Sequence, residues 1–298
     1  MTKQSPLVIG FPEYELQSSR FAEAAGLRHE TVNLHRFPDG ESKVQLPVEL
    51  PEHVILCRSL DYPNEKLVEL ILTAGGARSL GVKTISLVAP YLCYMRQDKA
   101  FHPGEVVSQK VIGKLLAGYI DNLLTIDSHL HRIHNLSEAV PVRHAVNITA
   151  TNPMAHFLQS HVERPFLIGP DGESEQWVAD IAAHYKFDYA VATKERYGDR
   201  EVRVSLPKGP YEGRNIVLVD DVASTGKTLL AAANLLAPYQ PASVSVLVTH
   251  AFFVDDAMEE LKAAGIGNIW SCDSIPHSTN AIPLADTFAE QINNGCFG

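Results

Sequence analysis

The chain has 298 residues, 45% of them hydrophobic and 20% charged, with a formal net charge of −10. That is an ordinary globular composition whose length predicts about two domains, and an acidic balance without a basic stretch excludes DNA or RNA as a partner. Cys57, Cys93, Cys272 and Cys296 are scattered without CxxC spacing, which argues against a zinc site or disulfide framework and for a reducing compartment.

The N-terminal stretch MTKQSPLVIG moves straight into an apolar strand, with no signal-peptide pattern. Further short apolar strands are predicted at HVILC (53–57), TISLVAP (84–90), NLLTID (122–127), PFLIG (165–169), DYAVAT (188–193), NIVLVD (215–220) and SVSVLVTH (243–250). Most are followed by helical patterns, and none approaches the roughly 18 apolar residues of a membrane span. The alternation predicts an α/β fold with mostly parallel sheets flanked by helices, in a cytoplasmic protein with no membrane partner.

The two halves echo each other. PLVIGFPEYELQ from Pro6 matches PFLIGPDGESEQ from Pro165, and KTISLVAPY from Lys83 matches ASVSVLVTH from Ala242, both at an offset of 159. VILCRSLDYPNEKL from Val54 falls against VLVDDVASTGKTLL from Val217 at an offset of 163, implying a small insertion. The repeat predicts a tandem duplication with domains at 1–147 and 148–298.

The segment IVLVDDVASTGKTLL (216–230) carries the most chemistry. Its end looks like a P-loop, but Asp221 stands where the first glycine of G-x-x-x-x-G-K-[ST] belongs, and Asp220 precedes it. Paired carboxylates repel a triphosphate arriving without metal. The small-residue turn Ser224–Thr228, opening a helix predicted at 229–236, offers backbone N–H groups to a phosphate. Asp220 and Asp221, expected to end the strand, can accept from sugar hydroxyls directly or through a metal. A sugar phosphate satisfies both ends. In the first half Cys57 and Arg58 are aligned with the carboxylates and DYPNE with STGKT, so that copy is expected to have lost the site.

With these residues in place, the chain resembles ribose-phosphate pyrophosphokinases, in a form closer to their archaeal-type branch. The resemblance runs over six ordered segments: HRFPDGES (35–42), PYLCYMRQDK (90–99), LTIDSHLHRI (124–133), IGPDGESEQ (168–176), ATKER (192–196) and VDDVASTGKT (219–228). It implies two tandem type I phosphoribosyltransferase-like domains. It also implies transfer of the β,γ-pyrophosphoryl group of Mg-ATP to O1 of ribose 5-phosphate, giving phosphoribosyl pyrophosphate and AMP. By the resemblance, Phe37, Asp39, Glu41, Arg96 and Gln97 contact ATP. Asp220, Asp221, Ser224, Thr225, Gly226, Lys227 and Thr228 hold ribose 5-phosphate. Asp127, His129 and Asp171 serve Mg²⁺. Lys194 and Arg196, on a mobile loop that includes Gly198, stabilise the transferred group, with Glu195 replacing a family basic residue between them. The segment 35–42 reaches ATP across a subunit contact in the family, which implies a homo-oligomer built from dimers. Two alternatives are a phosphoribosyltransferase consuming phosphoribosyl pyrophosphate, and a catalytically inactive regulatory homologue expected to have lost the loop lysine or the metal ligands.

Overall fold

A computed structural model describes residues 5–130, 132–197 and 201–297. The chain forms two compact units, Met1–Thr149 with Leu284–Gly298, and Ala150–Pro283.

The first unit runs β1 (Leu7–Gly10), α1 (Glu15–Ala25), β2 (Arg28–Thr31), β3 (Asn33–Arg36), β4 (Ser42–Gln45), β5 (His53–Cys57), α2 (Pro63–Ser79), β6 (Thr84–Ala89), α3 (Ser108–Ala117), β7 (Asn122–Ile126), α4 (Leu136–Ala139) and β8 (His144–Ile148). Its six-stranded parallel sheet has the order β2-β1-β5-β6-β7-β8, and β3 and β4 form a separate antiparallel hairpin. The inner strands are continuous apolar runs because helices cover a parallel sheet: Val54, Ile55, Leu56, Ile85, Leu87 and Leu123 are fully buried.

The second unit repeats the plan with α5 (Thr151–His161), β9 (Phe166–Gly169), α6 (Glu175–Tyr185), β10 (Asp188–Val191), β11 (Thr193–Tyr197), β12 (Glu201–Ser205), β13 (Asn215–Ala223), α7 (Lys227–Leu236), β14 (Ser243–Ala251), α8 (Ala257–Ala263), β15 (Asn268–Cys272) and β16 (Asn280–Ile282). Its parallel sheet has the matching order β10-β9-β13-β14-β15-β16, again with a detached hairpin, β11–β12. The predicted duplication is therefore visible as two sheets of one topology. Ile9 faces Leu56 in the first sheet and Ile168 faces Leu218 in the second. That register aligns Val54 with Ile216, one residue from the expected Val217. Arg58 and Ser59, rather than Cys57 and Arg58, stand where Asp220 and Asp221 stand.

The expected division assigned residues 284–298 to the second half, whereas their contacts group them with the first. The reason is α9 (Ala285–Asn293), which buries Phe288 edge-on against Phe21 of α1, ring centroids 6.4 Å apart. None of the four cysteines is in a disulfide. Among the described residues no helix is long and apolar enough to cross a membrane.

Close packing behind the loop that follows β6 gives a stability prediction. A Cβ on Gly113 of α3 would lie 1.8 Å from the Ala139 carbonyl oxygen of α4, a backbone atom that cannot swing aside. Gly113→Ala is expected to cost about 3 kcal/mol, the upper range for overpacking, read as a lower urea midpoint at unchanged m-value.

Candidate active site

β13 does not stop at the carboxylates. It runs through Asp220 and Asp221 to Ala223, because β14 is equally long and pairs Val222 with His250 and Ala223 with Ala251. Beyond β14 the amides of Phe252 and Phe253 donate to the Ala223 carbonyl at 2.9 and 3.0 Å, and that of Val254 to the Ser224 carbonyl at 3.0 Å. The root of the loop is thereby strapped to its neighbour. Gly226 then takes a left-handed φ of 67°, a conformation an L-residue with a Cβ resists, and turns the chain into α7, which begins two residues earlier than expected. No side chain caps α7, so its first-turn N–H groups remain directed outward as an anion site. Ser224 and Thr228 are half-buried beside it, and Thr225 and Lys227 are exposed.

Asp221 is buried and Asp220 half-buried. Asp220 Oδ1 accepts from the Asp221 amide at 3.0 Å, and Asp221 Oδ1 from the Val222 amide at 2.7 Å. Asp171 caps the short 3-10 turn Gly172–Ser174 after β9, its Oδ1 accepting from the Glu173 amide at 3.1 Å. Burial, then the charges of Asp221 and Asp171, push the Asp220 carboxyl well above its usual range. The structure thus gathers three acidic side chains beside a phosphate-ready helix start. Among the described residues no group of three or more His, Cys, Asp or Glu could hold a metal ion. The donor set still fits Mg²⁺. Its carboxylates are hard and carry crowded negative charge, and this ion completes its shell with waters and substrate phosphates.

In the same unit, β11 pairs Lys194 with Val204, Glu195 with Arg203 and Arg196 with Val202. Lys194 and Arg196 occupy alternate positions of a strand, with Glu195 between them. Residues 194–197 therefore stand in a hairpin rather than the expected loop, and Gly198 lies outside the described residues. The topology makes this hairpin the counterpart of β3–β4.

In the first unit, Phe37, Asp39 and Glu41 share the β3–β4 turn. The Phe37 amide donates to Glu41 O at 2.8 Å, and the Glu41 amide to Asp39 Oδ1 at 3.2 Å. Phe37 is 40% exposed. Asp39 and Glu41 border an open pocket of about 670 Å³ completed by Asn64, Glu65, Val68 and Leu72 of α2. Arg96 and Gln97 are not on that hairpin. They stand on the loop between β6 and α3, where Gln97 Oε1 accepts from Ser108 Oγ at 2.6 Å and Arg96 is exposed. Asp127 follows β7 at a φ of 43°, strain of the kind that collects at functional sites. Its amide donates to Ile148 O at 2.9 Å, and His129 beyond it is half-buried.

Three features escaped the sequence reading. They are the strap 252–254, the α2 wall of the pocket, and the buried cation Arg58. AFFV reads as core, and an arginine beside an apolar strand carries no signal of burial.

The two sheets of one order, with a carboxylate pair running into a glycine turn and an uncapped helix, define a duplicated phosphoribosyltransferase-type protein. A family model described as the N-terminal domain of ribose phosphate pyrophosphokinase matches residues 12–119, and one described as the phosphoribosyl transferase domain matches residues 150–284. The ribose-phosphate pyrophosphokinase of Methanopyrus kandleri is 32% identical over 278 residues, 92% of this chain and 94% of that protein. That of Saccharolobus solfataricus is 31% identical, covering 80% of this chain and 82% of its own. The crystal structure of phosphoribosylpyrophosphate synthetase from Mycobacterium smegmatis superposes with a TM-score of 0.80 at 20% identity, over 98% of this chain and 100% of that one. The chain belongs to the ribose-phosphate pyrophosphokinase family.

Proposed function

We propose that this protein is a ribose-phosphate diphosphokinase, making phosphoribosyl pyrophosphate and AMP from ribose 5-phosphate and ATP. The observation that carries the reading is the crowding of Asp171, Asp220 and Asp221 beside the uncapped start of α7. The amides and hydroxyls of Ser224–Thr228, with Lys227 adding charge, hold the 5-phosphate. Asp220 and Asp221 accept from the ribose hydroxyls and so orient the sugar. Phe37 stacks on adenine, Asp39 or Glu41 accepts from its amino group, and Arg96 and Gln97 bind phosphate oxygens, Arg96 as a fork. A bond forms between O1 of the sugar and the β-phosphorus, the bond from that phosphorus to the α,β-bridging oxygen breaks, AMP departs with that oxygen, and the hydroxyl proton is lost to solvent. Such a transfer asks for positioning and charge stabilisation rather than covalent help from the protein. Lys194 and Arg196 supply positive charge to the transferred group.

Asp127 and His129 of the first unit, and Asp171 of the second, are each proposed to serve Mg²⁺, as the family resemblance implies. Bound Mg²⁺ would supply charge neutralisation for phosphate and sugar oxygens. We further propose a homo-oligomer built from dimers and a cytoplasmic location.

Coupled assay of AMP tests the reading. AMP is expected only when Mg²⁺, ATP and ribose 5-phosphate are all present. A folded protein that binds ribose 5-phosphate or phosphoribosyl pyrophosphate but releases no AMP would move the regulatory or transferase reading to the front.

A further inference from the structure

The first half did not merely lose its carboxylates. At the position of Asp220 it carries a buried cation, and that cation is wired to the hairpin that bears Phe37, Asp39 and Glu41. We propose that Arg58 is a positioning residue for nucleotide binding, holding the β3–β4 hairpin through Glu69 and Ser42. The inference rests on the reading above that this hairpin meets ATP.

The Arg58 side chain is 3% exposed. Its Nε donates to Glu13 Oε1 at 2.6 Å, its Nη1 to the Lys66 carbonyl at 3.0 Å, and its Nη2 to Glu69 Oε2 at 2.5 Å. The guanidinium lies over the Phe11 ring, 4.1 Å from the centroid. Three directional bonds and a ring contact fix it in one pose. The other carboxylate oxygen of Glu69, Oε1, accepts from Ser42 Oγ at 3.0 Å. Ser42 is the first residue of β4 and follows Glu41 directly. The connection therefore runs from the end of β5, through α2, to the base of the nucleotide turn.

A second link joins the other strand of the hairpin to α2. Arg36 makes a two-pronged pair with Glu65 at 3.0 and 2.8 Å. Its side chains are 61% and 68% exposed, and pairs in that setting contribute little. Glu69 is 15% exposed, so its hydrogen bonds are shielded from water and stronger for it. The shielded route is the one that sets where the hairpin points. The fork matters as well as the charge. A lysine at this position offers one compact ammonium and cannot serve Glu13, Glu69 and the Lys66 carbonyl at once. Glu69 is then free to turn away from Ser42.

The test uses the full chain with Arg58→Lys and Ser42→Ala, singly and together. It reads kcat, KM for ATP, KM for ribose 5-phosphate, the Kd for Mg-ATP by calorimetry, and Tm. Each single change is expected to raise KM and Kd for ATP about three- to tenfold, the net worth of one typical hydrogen bond. KM for ribose 5-phosphate and kcat are expected to move less than about twofold, because neither the sugar loop nor the transferred group is touched. The double change is expected to match Arg58→Lys alone, since both act along one route. A fall in Tm with ATP affinity unmoved, or equal rises in both KM values, overturns the proposal by making Arg58 a purely structural residue. If Arg58→Lys does not fold, Ser42→Ala decides alone, and an unchanged ATP constant sinks the idea. A wild type that binds Mg-ATP but forms no AMP overturns the assigned reaction, while the Kd shift still supports the positioning role. A wild type that binds no ATP overturns both.

Discussion

Replacing Lys194 by alanine is expected to lower kcat about 10²- to 10³-fold, the size of losing one preorganised charge from a transition state, with both KM values within about threefold. The transferred group passes through a state in which negative charge spreads over its oxygens. A cation that meets that charge only as it develops acts on turnover and leaves ground-state binding nearly unchanged. The backbone favours this role. β11 is a strand whose pairing sets Lys194 opposite Val204 and Arg196 opposite Val202, and alternate residues of a strand share a face. Glu195 holds the intervening position of the strand, paired with Arg203, and Glu195→Ala is expected to change kcat by less than about threefold. Steady-state AMP release, with ATP and ribose 5-phosphate varied in turn, separates the two variants. A Lys194→Ala enzyme with wild-type turnover would remove the hairpin from the chemistry. Equal losses from Lys194→Ala and Glu195→Ala would mean that only its folding matters.

The elements that could be read from the sequence are those that parallel-sheet packing makes monotonously apolar. HVILC, TISLVA and NIVLV are buried at every position after the first, so their apolar runs are unmistakable. Among the strands that escaped, RHET of β2 and SKVQ of β4 alternate exposed and half-buried positions, NLHR of β3 is exposed at three of its four, and all three carry charged or polar side chains. They are held by register rather than by apolar content. The duplication was legible because the strands bordering each core keep an offset of 159. It was blurred where one copy gained chain. Ser86 pairs with Asn122 in the first sheet, 36 positions away, whereas Ser245 pairs with Asn268, 23 away. The longer connection in the first half includes the loop bearing Arg96 and Gln97, so the copies differ in length where they are proposed to differ in ligand. Of the candidate site, the acidic pair and glycine turn were plain from residue type. The reach of β13 past both aspartates was not, because it is dictated by the length of β14. Nor was the left-handed backbone at Asp127, which belongs to tertiary context.

Asp220→Asn is expected to lower kcat/KM about 10²-fold or more through the loss of a substrate-orienting carboxylate, while making the unliganded protein more stable at neutral pH. In the folded chain the Asp220 carboxyl is pushed well above the ordinary value of 3.8, first by burial and then by Asp221 and Asp171. Between the unfolded and folded values the native state keeps a proton that the unfolded chain has released. Stability therefore falls as pH rises through that window, and the cost persists in full above it. An amide of the same shape carries no charge and escapes this cost. The gain at pH 7.5 is expected to be about 1 kcal/mol, typical of relieving strain at a functional site. It should vanish below the unfolded value, where Asp220 is neutral in both states. Substrate and metal act in the opposite sense. Wild type is expected to gain Tm when Mg²⁺ and ribose 5-phosphate are added, by mass action, and Asp220→Asn to gain much less, so the order of the two melting temperatures reverses as ligand rises. Thermal melts across pH, with and without Mg²⁺ and the sugar phosphate, give both comparisons. A variant that melts below wild type at pH 7.5 without ligand would show the carboxylate to be structural. A variant that still rises with ligand as wild type does would place the sugar elsewhere. The predicted reversal would mean that the charge crowding at this strand end is a cost of the empty site, offset when ligand binds.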